Sequence, residues 1–389
     1  MPNYFAVCAP GLEPFTAREM KELGFRMTGS SPPHGGSPAS EEGLEEIGGV
    51  GFRGSLADLY RANLHLRTAS RVLLHLGSFY ADTFSDLGRR AKRLDWESYL
   101  RPGSPVALRV TCQKSRLFHS VGVAERVGDS IGGRLGQAPP TKKSDGEEEK
   151  DAPQLIIVRL VENRCSVSLD SSGALLHRRG YRLATAKAPL RETLAAGVIM
   201  ASGWDLPFPL MDPFCGSGTI PIEAALMARR IAPGINRRFA FMDWPNFDAE
   251  VWKRLKALSQ EGQTKSFPPI MGSDRDAGAI RAAGENAERA GVADRVVFSC
   301  RALSALEPPP GPGWVVTNPP HGVRLKTHRA LGSLYIRLGR VLRAKCPGWN
   351  AAVLCAGESL LELTRIRFDQ RFPMRSGGRR VTLAKGRVE

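Results

Sequence analysis

Long apolar stretches are missing from this 389-residue chain: no uninterrupted run approaches the roughly 18 residues that a bilayer-crossing helix needs. Its opening, MPNYFAVCAPGLEP, lacks both a basic n-region and an extended apolar core, so no secretory leader is expected. Cysteine is sparse and unpaired in pattern. The seven residues, at 8, 112, 165, 215, 300, 346 and 355, form no C-x-x-C pair and are odd in number. That argues against a disulfide scaffold or a zinc ribbon and fits reduced thiols in a cytoplasmic protein. No metal is expected either, because the run Glu147, Glu148, Glu149 has no matched ligands nearby. Acid is scarce: 39 Asp and Glu face 55 Lys and Arg, a net charge of +16. A chain this basic commonly meets a polyanion, and nucleic acid is the first candidate. A genome rich in arginine codons is the other explanation. No repeat of solenoid period is present.

What the chain does have is two different rhythms. Before residue 170, short strands and helices mix in an α+β pattern, with Ser55 placed to cap a helix and Glu162-Asn163 placed to turn a hairpin. Two polar segments, 30 to 43 and 136 to 153, read as solvated insertions. After residue 185, apolar strand-like runs alternate regularly with amphipathic helix-like ones, as in a doubly wound parallel α/β sheet. Three motifs fall at the ends of those runs. In DPFCGSGT, Gly216 and Gly218 let the backbone approach a ligand, and the following helix presents unpaired N–H groups. The lack of G-K-[ST] argues against a P-loop, and the lack of a third glycine argues against a dinucleotide. MGSD ends on Asp274, a carboxylate able to accept from a ribose diol, with Asp276 left to cap the next helix. The long interval between these motifs implies an insertion, IAPGINRRFAFMDWPNFDAEVWKRL. VVTNPPHGVRL places Asn318 at a strand end. An exocyclic amine on a base is a poor nucleophile because its lone pair is delocalised. The Asn318 amide oxygen and the Pro319 carbonyl can each accept one of its N–H groups, and His321 can stack on the ring. Together the three motifs point to an S-adenosylmethionine-dependent methyltransferase.

The stretch TNPPH resembles the N-P-P-[YFWH] motif of amino-methyltransferases. With LLHRRGYRLATAKAPLRETLAAG, DPFCGSGTIPIEAALMARRIAPGINRRFAFMDW, GSDRDAGAIRAAGENAERAG and QKSRLFHSVGVAERV, the chain resembles THUMP-domain RNA guanine-N2 methyltransferases, especially the ribosomal RNA enzymes. The resemblance implies a ferredoxin-like unit over 1–80, a THUMP RNA-binding domain over 81–170, a linker over 171–190 and a Rossmann-like catalytic domain over 191–389. It implies Asp212, Gly216, Gly218 and Asp274 as cofactor residues, with Arg191, Glu192 and Thr193 lining the same pocket. Asn318, Pro319 and His321 fall to the base. Lys114, Arg116 and His119 fall to RNA phosphate, while Arg178 and Arg179 are basic linker residues that either grip phosphate or are merely solvated. Cys215 reads as a packing residue. The family usually has Tyr or Phe at position 321 and often an aspartate where Ala302 stands; some relatives carry a second methyltransferase domain, absent here, so one modification is expected. The implied activity is methylation of guanine N2 in RNA, most of all 23S ribosomal RNA; the sequence leaves the oligomeric state open, with a monomer as the expectation. Transfer RNA is an alternative acceptor. DNA adenine and a protein amide are disfavoured by the THUMP likeness, and a non-catalytic assembly factor is the rival of another class.

Overall fold

The structure is a computed structural model, and it describes residues 1–29, 48–141, 152–182, 190–264, 267–320 and 328–389. In chain order the first elements are β1 (Asn3–Cys8), α1 (Glu13–Glu22), β2 (Arg26–Gly29), β3 (Gly48–Arg53), α2 (Leu56–His65), β4 (Ala69–Tyr80) and α3 (Phe84–Ala91). Then come β5 (Val106–Gln113), α4 (Ser120–Leu135), β6 (Gln154–Val161), β7 (Arg164–Asp170), α5 (Glu192–Ser202), β8 (Leu210–Asp212) and α6 (Thr219–Ala228). The remainder is α7 (Ala249–Glu261), β9 (Ile270–Asp274), α8 (Ala277–Arg289), β10 (Val296–Cys300), β11 (Trp314–Thr317), α9 (His328–Lys345), β12 (Asn350–Cys355), α10 (Glu358–Leu363), β13 (Arg367–Ser376) and β14 (Arg379–Arg387).

The chain forms two compact units. The first comprises Met1–Cys8, Thr16–Leu176 and Arg237–Ala257. One seven-stranded sheet runs through it in the order β2-β3-β1-β4-β7-β6-β5. Its long central strand β4 pairs with β1 on one side and β7 on the other, which joins two αβ halves into one sheet. Ser55 caps α2 as expected, in a capping box with Asp58. The β6–β7 hairpin turns at Glu162 and Asn163, both with positive φ, as a tight right-twisted turn requires. Residues 237–257, part of the expected insertion, belong to this unit. Phe241 stacks on Tyr60 at 4.5 Å, and Phe247 and Trp252 meet Tyr60 edge-on at 5.6 and 6.3 Å.

The second unit comprises Ala9–Phe15, His177–Asn236 and Leu258–Glu389. Its sheet has the order β10-β9-β8-β11-β12-β14-β13, with β14 antiparallel to β12 and β13 antiparallel to β14. The strands between β10 and β12 are parallel, and chain order reverses direction at β8 and β11. Helices α5 and α6 are buried nearly all round, which matches their uniformly apolar sequences. On α9, Tyr335, Leu338 and Leu342 pack into a core with Val315, Ala351 and Val353. The N-terminal segment 9–15 lies along β13, where the Arg375 amide donates to the Pro10 carbonyl at 3.2 Å.

Candidate active site

In an open α/β sheet a ligand lies beyond the carboxyl ends of the strands, where the strand order reverses. Here that place is the gap between β8 and β11. Asp212 ends β8 and Thr317 ends β11, and the Thr317 hydroxyl donates to the Asp212 carboxylate at 2.5 Å. The Phe214 amide donates to the same oxygen at 3.1 Å. This bridge ties the glycine-rich motif to the end of β11, the strand that leads into Asn318. Thr317 was not foreseen, and no local signal marks it. The Asp212 carboxyl is 2% exposed. Burial pushes it up to about 7, against the opposing hydrogen bond from Thr317. Asp212 therefore braces the loop from within and also lines the cavity beside it.

The loop itself is held on three sides. The Gly216 amide donates to the Asp274 carboxylate at 3.1 Å, the Cys215 amide to the Ser273 carbonyl at 3.1 Å, and the Asn286 side chain to the Ser217 carbonyl at 3.0 Å. Asn286 is a second residue that sequence reasoning missed, since nothing distinguishes a polar residue inside α8 from a solvated one. Gly216 and Gly218 take φ of +51° and +84°. A side chain at Gly216 would meet nothing, so that flank of the loop is open. At Gly218 a Cβ would come 2.9 Å from the Phe298 ring. Gly218 also begins α6 without any side-chain cap, so the N–H groups of its first turn face the loop unblocked. Cys215 is buried, and burial raises its thiol well above the ordinary value, in keeping with a packing role. Asp274 is half-buried and accepts Gly216 N–H on one oxygen and Asp276 N–H on the other. A carboxylate has about four acceptor positions, so two remain for a diol. Asp276 caps α8 through Gly278 and Ala279, as expected.

Behind the loop lies a buried charge network. Arg182 reaches Glu192 at 3.1 Å and the Thr219 hydroxyl at 3.0 Å, which joins the start of α5 to the start of α6. Burial pushes Glu192 up to about 7. Thr193 is buried in the first turn of α5. The Arg179 side chain, which the sequence left open between a phosphate contact and a solvated connector, is buried against Glu223 at 3.5 Å, and the Glu223 carboxylate also accepts from the Tyr181 hydroxyl at 3.1 Å. Arg178 is exposed. Pro319 is buried and Asn318 half-buried, while His321 lies outside the described residues. A cavity of about 130 Å³ opens against Asp212, Ser273, Ser299 and Arg301. A larger one of about 500 Å³, lined by Leu206, Pro207 and Pro268, sits at the amino ends of the strands and away from this chemistry. In the first unit, Lys114, Arg116 and His119 are all exposed. Lys114 has a φ of +46°, Arg116 pairs with Asp82 at 3.0 Å, and His119 begins α4 without capping it.

Comparison with known proteins gives the site its family. Residues 179–385 match the RMKL-like methyltransferase domain. Residues 42–73 match the RlmL ferredoxin-like domain and residues 81–170 the THUMP domain. The chain belongs to the RMKL-like methyltransferase family. It is 36% identical over 98% of its length to the putative RNA methyltransferase slr0064 of Synechocystis sp., covering 96% of that protein. It is 35% identical over its whole length to the ribosomal RNA large subunit methyltransferase K/L of Methylococcus capsulatus, and spans 50% of that longer protein. The crystal structure of SMU.472, a putative methyltransferase complexed with SAH, superposes with a TM-score of 0.85 at 28% identity, covering 100% of this chain and 98% of that one. As an RMKL-like methyltransferase, the protein is an S-adenosylmethionine-dependent enzyme. Its residues fit that cofactor: an open glycine turn, an uncapped helix start and a carboxylate with acceptor positions to spare stand together at one strand edge. Ala302, exposed and without a polar side chain, offers no acceptor beside them.

Proposed function

We propose that this enzyme methylates the exocyclic N2 of guanine in RNA, with large-subunit ribosomal RNA as the substrate. The observation that carries the reading is the Thr317–Asp212 hydrogen bond, which supports Asn318 and the Gly216–Gly218 turn acting on one substrate. The THUMP match and the named rRNA relative support RNA as the acceptor. S-adenosylmethionine supplies a methyl group on a sulfonium, which leaves as a neutral thioether. The chain's own part is positioning. The target base leaves its stack to reach the sheet edge. The Asn318 amide oxygen would accept one amine N–H and the Pro319 carbonyl the other, which would fix the nitrogen and leave its lone pair available to the methyl group that S-adenosylmethionine supplies. Once alkylated, the nitrogen is acidic and loses its proton to water, so no strong base is required. His321 is assigned to stacking on the base. Seven free cysteines support a cytoplasmic setting, and we take the protein to act as a monomer.

Nucleoside mass spectrometry after incubation with labelled cofactor tests the acceptor. Label in N2-methylguanosine of 23S RNA is expected; label in transfer RNA or in methyladenine would overturn the substrate assignment. Asn318→Ala is expected to lower kcat by at least about 100-fold, the scale of one lost positioning contact in a transition state, while RNA affinity stays within twofold. Equal loss of both would make Asn318 a structural residue.

A further inference from the structure

The C-terminal hairpin is the feature that the proposed chemistry leaves unused. Thr317 of β11 stands beside Val353 of β12, and Cys355 of β12 stands opposite Thr382 of β14. The start of β14 is therefore at the same sheet edge as Asn318, two strands across, a lateral offset of about 10 Å. Beyond Thr382 the hairpin continues through Val381, Arg380 and Arg379, so its tip rises about 10 Å past that edge. Gly377 and Gly378, with φ of +56° and +81°, close the turn.

The tip is built of like charge. Arg375 and Arg380 are direct cross-strand partners, and like charges so placed repel. Met374 and Val381 are buried, so by the two-residue alternation Arg375 and Arg380 share the opposite face and Arg379 falls on the other side of the ribbon. Arg379 and Arg380 are exposed, and among the described residues neither has an acidic partner. The only acid between 367 and 387 is Asp369. Charge along an outermost strand guards an open edge against pairing. That accounts for Arg371 on β13. Arg379 and Arg380 lie on β14 beyond Thr382, where the pairing with β12 has ended and β13 is the one neighbouring strand, so they project from the sheet edge on the side of Asn318.

We propose that the β13–β14 tip is a phosphate clamp that grips the RNA backbone beside the target nucleotide, with Arg379 and Arg380 each contacting phosphodiester oxygens. This rests on RNA being the substrate. The planar five-donor guanidinium suits bidentate phosphate contact, and an offset of about 10 Å across and about 10 Å along the strands puts the contact within a nucleotide or two of a base held at Asn318.

The test uses the full chain, deproteinised 23S RNA as probe, and KCl from 50 to 200 mM. For Arg379→Ala/Arg380→Ala, the slope of log affinity against log salt is expected to become shallower by about 1.5, since each phosphate contact contributes about 0.7 to 0.9. Affinity for S-adenosylhomocysteine should stay within twofold, and lost turnover should appear in KM for RNA. Arg379→Lys/Arg380→Lys should restore most of the slope, because Lys keeps the charge. An unchanged slope in the Ala variant, with wild type binding RNA normally, overturns the clamp and leaves the substrate assignment standing. Wild type that binds S-adenosylhomocysteine but no RNA overturns both.

Discussion

Thr317 and Asp212 are 105 residues apart in sequence, and their hydrogen bond organises the catalytic edge. Asp212 is buried, and its raised pKa makes a pH prediction with a definite sign. The neutral acid is the form the interior favours, so the stability it contributes is complete below the unfolded value of 3.8 and is lost as pH rises through about 7. Asp212→Asn keeps an oxygen for Thr317 and Phe214 and carries no charge at any pH. The variant should gain on wild type between pH 5 and pH 8, by on the order of 2 kcal/mol at the upper end, in urea unfolding. A variant that loses ground over that window would show that the native carboxyl is charged and satisfied. At this scale the sequence was only half legible. Asp274, Asp276 and the two glycines announce themselves by position between strand and helix. The burial of Arg179 was not legible, because local charge density in HRRGYR is silent about Glu223, a buried partner on α6.

At the scale of elements, the turn after β8 and the excursion 237–257 carry the consequences. Gly218 combines left-handed φ with a ring 2.9 Å from any added Cβ. Gly218→Ala should cost about 1–2 kcal/mol of stability from backbone strain. It should also weaken S-adenosylhomocysteine binding measured by calorimetry at least tenfold, because the α6 start must shift. Retained affinity would mean that the turn does not hold the cofactor. Phe241 is fully buried between Tyr60 and Phe239. Phe241→Ala should destabilise the first unit by about 3–5 kcal/mol, the usual cost of an emptied aromatic site; a loss under 1 kcal/mol would show the cluster collapsing onto the gap. The alternating strands and helices after residue 185 were readable because each is an apolar run bounded by turn residues. The four-residue β2, the eight-residue α3 and the six-residue α10 were not, since so few residues show no clear period. Helix α7 was hidden inside what read as an insertion, and the aromatics before it pack on Tyr60 and Tyr99, well over a hundred residues earlier.

For the whole molecule, the division into units is not a division of the chain. The first unit needs 237–257, and the second needs 9–15. A fragment of residues 177–389 would carry Phe239, Phe241, Phe247 and Trp252 with no Tyr60 to cover them. It is expected to aggregate or bind hydrophobic dye, whereas the same fragment with 237–257 replaced by a short Gly-Ser linker should run as a discrete species in gel filtration. Good behaviour of the unmodified fragment would show that those rings find cover within it. The resemblance to a three-part family suggested a chain that could be read as beads in order. The structure instead weaves it, which no composition or periodicity reports.

That weaving has a temporal side. A ribosome delivers residues in order, a few to some tens each second. The first unit cannot complete its core until Trp252 has emerged, well after α6 is made, and segment 9–15 waits for β13. The first unit is thus held open until part of the second has been made, and the second closes only once β13 has followed.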